Sequence, residues 1–295
     1  MKALIIGASG QVGGLLLLQL RAGGWECIGT AFKHGSVGLS TLDIRDAAAV
    51  NALVASARPD VIFLPGALTF VDYCETHRDE CFSINVDGTA NVARAAKSCG
   101  VPIVFFSTEH VFSDSPDAYP EEARPAAKSV YAQSKVLAEA RLREIVPDAH
   151  LILRASWVFG PESQRKNFVY RAVKTLRAGE RLHVPHDQYG QPTYSVDLAE
   201  TALALLKQNA RGTFHTVGPA HVTRLDFARL IARTFDVNAA LIDGIATASL
   251  GQPAPRPLFI QLRRDKLMAA LGRDPIRSPE AALIAMRDGP VEFRP

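Results

Sequence analysis

The chain has 295 residues, 47% of them hydrophobic and 21% charged, an ordinary globular composition with material for a large core. Thirty-three Lys and Arg against 30 Asp and Glu leave a net charge of +3, which makes no general case for nucleic acid or a membrane surface, so any anion site is local. No apolar run approaches the roughly 20 residues of a spanning helix, and the N-terminal run breaks at Gly7, too early for a secretory leader.

In chain order, residues 3–6 predict a strand and 12–21 a helix. A second strand follows at 26–30 and a helix at 46–57. Residues 61–64 predict a strand, 85–98 a helix, 103–106 a strand, 131–145 a helix stopped by Pro147, and 151–153 a strand. Alternating elements with continuously apolar strands predict an α/β fold, a doubly wound parallel Rossmann sheet covered on both faces. Beyond about residue 155 loops lengthen and prolines multiply, although 212–217 still predicts a strand. The expected organisation is a dinucleotide-binding domain over 1–154, to which 185–218 return. A smaller, interleaved substrate-binding domain takes 155–184 and 219–295. Cys27, Cys74, Cys81 and Cys99 show no Cys-x-x-Cys spacing and are expected as reduced thiols in a cytoplasmic protein.

The first chemical signal is Gly7-Ala8-Ser9-Gly10-Gln11-Val12-Gly13, between the first strand and the first helix. Glycines there permit a tight turn, and the helix N-terminus offers unpaired N–H groups to a pyrophosphate. Gly7, Ser9, Gly10, Gln11, Val12 and Gly13 are therefore expected to hold a dinucleotide. After the second strand, where NAD-specific proteins carry a carboxylate, stand Lys33 and His34. A cation there attracts a 2′-phosphate, which favours NADPH, with NADH a possible substitute. Asp43 and Ile44 suit an adenine-contacting loop.

The second signal is Tyr131-Ala132-Gln133-Ser134-Lys135, which sets a phenol and an ammonium on one helix face. For Tyr131 to relay a proton near neutrality, positive charge must outweigh burial, and Lys135 together with a nicotinamide cation is expected to supply it. Ser107-Thr108 ends the preceding strand, where ligands sit in an open parallel sheet. A hydroxyl at Thr108, the pair Tyr131 and Lys135 and the glycine loop are expected to converge as one catalytic site.

With these motifs, and with Asp72-Tyr73-Cys74-Glu75, Asn85-Val86-Asp87-Gly88-Thr89, Arg154-Ala155-Ser156-Trp157 and Asp187-Gln188-Tyr189-Gly190-Gln191-Pro192-Thr193, the chain resembles the extended short-chain dehydrogenase/reductases. More narrowly it resembles the dTDP-4-dehydrorhamnose reductase family. The resemblance implies NADPH-dependent reduction of a nucleotide-linked 4-keto-6-deoxy sugar. Thr108 would bond the keto oxygen, Tyr131 protonate it, and Lys135 hold the ribose and tune Tyr131. Asn85 would support the helix beside the site. Trp157, Gln188 and Thr193 would face the substrate, with Glu109 and His110 standing where the family has Asp and Tyr. That last departure puts the sugar, rather than the chemistry, in question. Some members bridge a dimer through a metal held by a Glu; Leu15 occupies that position, so no metal is expected.

Remaining features are weaker. His183 and His186 flank Pro185 and share no fixed face, so they are expected in a loop. Arg263-Arg264 is a candidate for a diphosphate, against the commoner solvated helix surface. The expected partner is a nucleotide sugar, with neither nucleic acid nor membrane, for a monomer or homodimer. Alternatives are a sugar-nucleotide epimerase or dehydratase, and a non-catalytic NADP-binding regulatory subunit resembling the methionine adenosyltransferase beta subunit.

Overall fold

The strands at the centre of the molecule are apolar on both sides because both sides are covered. The computed structural model describes residues 1–32, 38–291 and 294–295. In chain order its first half contains β1 (Lys2–Ile6), α1 (Gln11–Ala22), β2 (Glu26–Ala31), β3 (Ser40–Thr41), α2 (Ala47–Ala57) and β4 (Val61–Leu64). Then come α3 (Val71–Thr76), α4 (Arg78–Phe82), α5 (Thr89–Cys99), β5 (Ile103–Thr108), α6 (Val130–Ile145) and β6 (His150–Ala155). The second half contains β7 (Val158–Phe159), α7 (Phe168–Arg177), β8 (Leu182–Pro185), β9 (Tyr189–Gly190), β10 (Thr193–Tyr194), α8 (Ser195–Lys207) and β11 (Gly212–His215). It closes with β12 (Val222–Thr223), α9 (Arg224–Thr234), β13 (Ile242–Ile245), α10 (Asp265–Leu271) and α11 (Pro279–Asp288).

Seven strands form one sheet in the order β11-β6-β5-β4-β1-β2-β3, every neighbouring pair parallel. This is the doubly wound order, with its reversal between β1 and β4. Alternation along β1 sends Ala3 and Ile5 to one face, against Leu16 and Leu20 of α1 and Leu198 and Leu205 of α8. Leu4 and Ile6 go to the other, against Val50 and Val54 of α2, Val92 and Ala96 of α5, and Leu142 of α6. The predicted elements of this region are all present, with ends shifted by at most two residues except at the helix expected over 85–98.

One element differs in kind. The helix expected over 85–98 begins as a π-helical turn, Ser83–Gly88, before α5. The wide turn directs Asn85 inward, where its amide accepts from Leu68 N at 2.8 Å and donates to Leu68 O at 3.1 Å and Ser134 Oγ at 2.9 Å. Such turns disturb the regular ladder and recur at functional places. Residues 258–262 form no strand; Phe259 and Leu262 make single bridges to Tyr189 and Tyr119. The second half gathers its own apolar cluster, in which Phe159, Tyr170, Val173, Phe227, Ile231 and Leu283 meet. It also pairs β8 with β13 in parallel.

A buried ionic clamp joins α6 to the sheet. Glu139 is 0% exposed and Arg154 of β6 only 1%. Arg154 grips both carboxylate oxygens, at 3.0 and 2.8 Å. Ser107 of β5 donates to the same carboxylate at 2.6 Å, and Arg143 reaches it at 2.8 Å. Removing one partner of such a pair strands a charge in the core. Glu139→Ala is therefore expected to lose about 3–5 kcal/mol of stability, read as the shift in urea unfolding midpoint at unchanged slope.

Candidate active site

The glycine loop leaves β1 at its carboxyl end, beside the strand-order reversal. Gly7 takes φ +97°, and a Cβ on it would stand 2.6 Å from Gly66 Cα. A Cβ on Gly13 would stand 2.2 Å from the Gly7 carbonyl oxygen. These two glycines are demanded by the protein's own backbone. Gly10 is different: its absent Cβ would meet only the Gly7 oxygen, at 3.4 Å. Gly10 is also the N-cap of α1 and caps it with no side chain. A loop bare on its outer side over an uncapped helix start fits a dinucleotide pyrophosphate. The side chain of Gln11 turns away, donating to Gly160 O at 3.2 Å and Ser195 Oγ at 3.4 Å. Ser9 gives its carbonyl to Gln164 Nε2 at 2.8 Å. Val12 packs partly into the core. Gln11 and Ser9 thus tie the loop to the second half of the chain.

Lys33 and His34 lie outside the described residues. Asp43 grips Arg45 with both oxygens, and Ile44 is 8% exposed, its side chain packed where a Cβ on Gly88 would strike it at 2.5 Å. The Ile44 side chain therefore serves the core.

Thr108 ends β5, and Tyr131 and Lys135 stand in the first turns of α6, which Ser129 starts by accepting from Ala132 N. Thr108 donates to Glu109 Oε2 at 3.0 Å and accepts His110 N at 3.2 Å. Burial pushes the Tyr131 phenol well above its ordinary range, and the Glu109 carboxylate adds to this; a hydrogen bond with Thr108 opposes it. In this structure Lys135 does not offset the burial of Tyr131. Lys135 Nζ instead donates to Phe106 O at 2.7 Å and lies 3.9 Å from the centre of the Phe105 ring. Burial pulls its own pKa down to about 7, with Glu139 and Cys81 opposing. The cost of charge in a dry site falls on both groups. The Tyr131 phenol therefore keeps its proton.

Beside these groups opens a cavity of about 950 Å³. Glu109, His110, Trp157 and Gln188 line it. His110 Nδ1 and Gln188 Nε2 are buried with no hydrogen-bond partner among the described residues, an unmet demand that a polar ligand satisfies. Burial lowers the His110 pKa. Trp157 takes φ +41°, a left-handed backbone uncommon for a bulky residue. Its indole fills the space that a Cβ on Gly190 would need, at 2.3 Å. Thr193 is a correction: it is 0% exposed, donates to Gln191 O and accepts Gly218 N. Its hydroxyl closes a turn and does not face the cavity.

Sequence reasoning missed the cationic wall. Arg171 and Lys174 of α7, Arg224 at the start of α9 and Arg256 all line the cavity. Arg256 is held by Asp72 in a bidentate pair, both bonds 2.8 Å. Among the described residues no carboxylate pairs with Arg171, Lys174 or Arg224. Arg224 lies 3.5 Å from the centre of the Trp157 ring, and burial lowers its pKa to about 9. The spacing of Arg171 and Lys174 was the available signal, being one face of an amphipathic helix. Arg263 pairs with Asp265 and Arg264 with Asp274, so neither is free for a diphosphate. His183 stands 3.6 Å from Asp243, and no group of three metal-ligating side chains occurs among the described residues. No helix is long and apolar enough to cross a membrane among those residues.

Comparison with known proteins gives concordant relatives. Residues 1–286 match the family model described as RmlD substrate binding domain. A dTDP-4-dehydrorhamnose reductase of Sinorhizobium fredii is 30% identical over 283 residues, 92% of each chain. The crystal structure of a dTDP-4-dehydrorhamnose reductase from Clostridium acetobutylicum superposes with a TM-score of 0.89 at 31% identity, covering 98% of this chain and 99% of that one. A Bacillus anthracis dTDP-4-dehydrorhamnose reductase in complex with NADP gives 0.89 at 29% identity, over 97% and 98%.

Two expectations follow from the geometry. Gly10→Ala keeps the melting temperature close to that of the parent yet weakens dinucleotide binding. Gly13→Ala lowers both, because its methyl meets backbone; thermal melts and fluorescence titrations separate the two. Lys135 loses its proton as pH rises through about 7 in the ligand-free protein. Dinucleotide affinity is therefore highest below that pH and declines above it, and Lys135→Met flattens the dependence at the weaker level. Titrations across the range measure this directly.

Proposed function

The chain belongs to the RmlD substrate binding domain family, and on that footing we propose that it is an NADPH-dependent reductase of a nucleoside-diphosphate-linked 4-keto-6-deoxy sugar, with dTDP-4-dehydrorhamnose the first substrate to test. The observation that carries the reading is the neutral, buried Tyr131 beside Thr108, set between an uncapped glycine helix and a cavity with three unpaired cations.

The dihydronicotinamide, when bound, supplies the hydride. Thr108 and Tyr131 hold the keto oxygen, and Tyr131 donates its proton as negative charge develops there. A phenol with a raised pKa is a weak acid in the resting site, and it transfers its proton only to a stronger base, the nascent alkoxide. The Lys135 ammonium then stabilises the phenolate and holds ribose hydroxyls. Arg171, Lys174 and Arg224 neutralise the diphosphate, and Arg224 does so from a fixed plane because it is stacked on Trp157. His110 Nδ1 and Gln188 Nε2 complete their hydrogen bonds on the sugar. Lys33 and His34 take the 2′-phosphate that distinguishes NADPH from NADH.

In this reading residues 1–154 and 185–218 form the cofactor domain, and 155–184 with 219–295 the substrate domain. Cavity residues Trp157, Arg171, Lys174, Arg224 and Arg256 all come from the second set. A cytoplasmic place of action, as a monomer or homodimer, completes the proposal; it is supported by four unpaired cysteines.

The experiment is NADPH oxidation with dTDP-4-dehydrorhamnose and related nucleotide 4-ketosugars. Tyr131→Phe is expected to lower kcat by about 10²–10⁴-fold while dinucleotide affinity stays near the parent value. Tight NADPH binding with no oxidation on any of these sugars would favour a regulatory role instead.

A further inference from the structure

One wall of the cavity is a single pass of chain. Leu250, Gln252, Arg256 and Pro257 line the cavity, while Gly251, Gln252, Pro253 and Pro255 of the same stretch are exposed to solvent. The stretch is fixed at both ends. Thr247 gives its N–H and its hydroxyl to Asp187, at 2.9 and 2.6 Å. Leu258 and Phe259 both donate their backbone N–H to Asp114. Between those anchors it is fastened at one point. Among the described residues, every hydrogen bond from residues 251–257 to the rest of the chain ends on Asp72 of α3. Ala254 N reaches Oδ1 at 3.2 Å, and Arg256 spans both oxygens at 2.8 Å each. Pro253, Pro255 and Pro257 have no N–H to offer, so a backbone ladder cannot hold this stretch down, and the fastening falls to one carboxylate.

We propose that residues 251–257 are a strap latched across the cavity by Asp72 and Arg256, which swings outward to admit the nucleotide sugar and to release the product. Gly251 stands at one end with φ +58°, a backbone that turns there at little cost. The three prolines fix φ along the rest, so the strap moves as a unit between its anchors. Little holds it shut besides the latch. Ala254 is its only buried residue, so closure buries little apolar surface. The Asp72 side chain is 41% exposed, and an ion pair that open to water contributes modestly. The latch therefore selects the closed position with well-formed bonds yet releases it readily, as a gate on ligand exchange must. The identity of the ligand rests on the reductase reading; the movement of the strap does not.

Two measurements on the full chain test this, each in the parent, in Asp72→Asn and in Arg256→Lys. The lysine keeps the cation but loses the fork that grips both carboxylate oxygens. The first measurement needs no ligand. Val184 lines the cavity and is 1% exposed. With Val184→Cys added to all three proteins, alkylation of the new thiol by N-ethylmaleimide is followed by peptide mass, with Cys27 of β2 as the control for general loosening. The new thiol is expected to react about fivefold faster in both latch variants, with Cys27 at its parent rate. Equal rates in all three proteins overturn the strap, and so does an equal acceleration at Cys27.

The second measurement is stopped-flow binding of dTDP, read by tryptophan fluorescence, since Trp157 lines the cavity. Association and dissociation are both expected to quicken about fivefold in each variant, with Kd little moved. Faster association with slower dissociation, in Asp72→Asn alone, is the mark of a lost negative charge and overturns the gating role. A parent protein that binds no dTDP counts against the reductase reading alone, because the alkylation rates still decide whether the strap opens.

Discussion

The bidentate pair of Glu139 and Arg154 is the constraint on which the site depends. Helix α6 carries Tyr131 and Lys135 in its first turns, yet the hydroxyl of Thr108 beside them belongs to β5. Glu139, one turn beyond Lys135, receives Ser107 from β5 and Arg154 from β6 on the same carboxylate. Ser107 is the chain neighbour of Thr108, so the clamp fixes the helix against the strand end within one residue of the chemistry. An apolar contact would hold the two elements together but would let them slide. A doubly bonded ion pair sets their register, although its net contribution to stability is small once desolvation is counted. Asn85 fixes the opposite side of the helix start through Ser134, from a π-helical turn.

Burial then sets the chemistry of what the clamp holds. Tyr131 and Lys135 are dry, and each is pushed toward its neutral form, the phenol upward and the ammonium downward. The same desolvation that makes both poor ions in the resting protein strengthens every charge–charge interaction once a ligand is present. In the proposed reduction the phenolate forms only as Tyr131 gives up its proton, and a protonated Lys135 would stabilise it at that moment. This suits catalysis, because stabilisation that appears with the developing charge lowers the barrier and leaves the ground state alone.

The cavity shows how a polar substrate is met by a fold whose core is apolar. Its cations come from two helices of the second half and from a loop, and among the described residues only Arg256 is ion-paired with a carboxylate. Trp157 sits between Gly190 and Arg224, its backbone in a left-handed conformation that costs about 1–3 kcal/mol. The strain is held because the indole has nowhere else to go. Arg224 gains a rigid plane in return, and with Arg171 and Lys174 it gives this wall of the cavity a local positive charge.

The amino-acid sequence by itself determined the parallel sheet, the glycine loop and the spacing of Tyr131 and Lys135, because each is a local pattern. Apolar runs, turn glycines and a four-residue offset are readable from nearest neighbours along the chain. The meeting of Thr108 with Tyr131 was also legible, since ligands gather at the carboxyl ends of parallel strands. Only the tertiary structure decided what surrounds these groups. Arg171, Lys174, Arg224 and Arg256 are scattered over 85 positions of chain and become one wall only when α7, α9 and the loop bearing Arg256 pack around the cavity. Thr193, read as a substrate contact, is a turn-closing buried residue, and Lys135 donates to a backbone carbonyl that its spacing from Tyr131 gave no sign of. Charge, burial and side-chain direction at these positions depend on residues far away in sequence, and no local spacing encodes them.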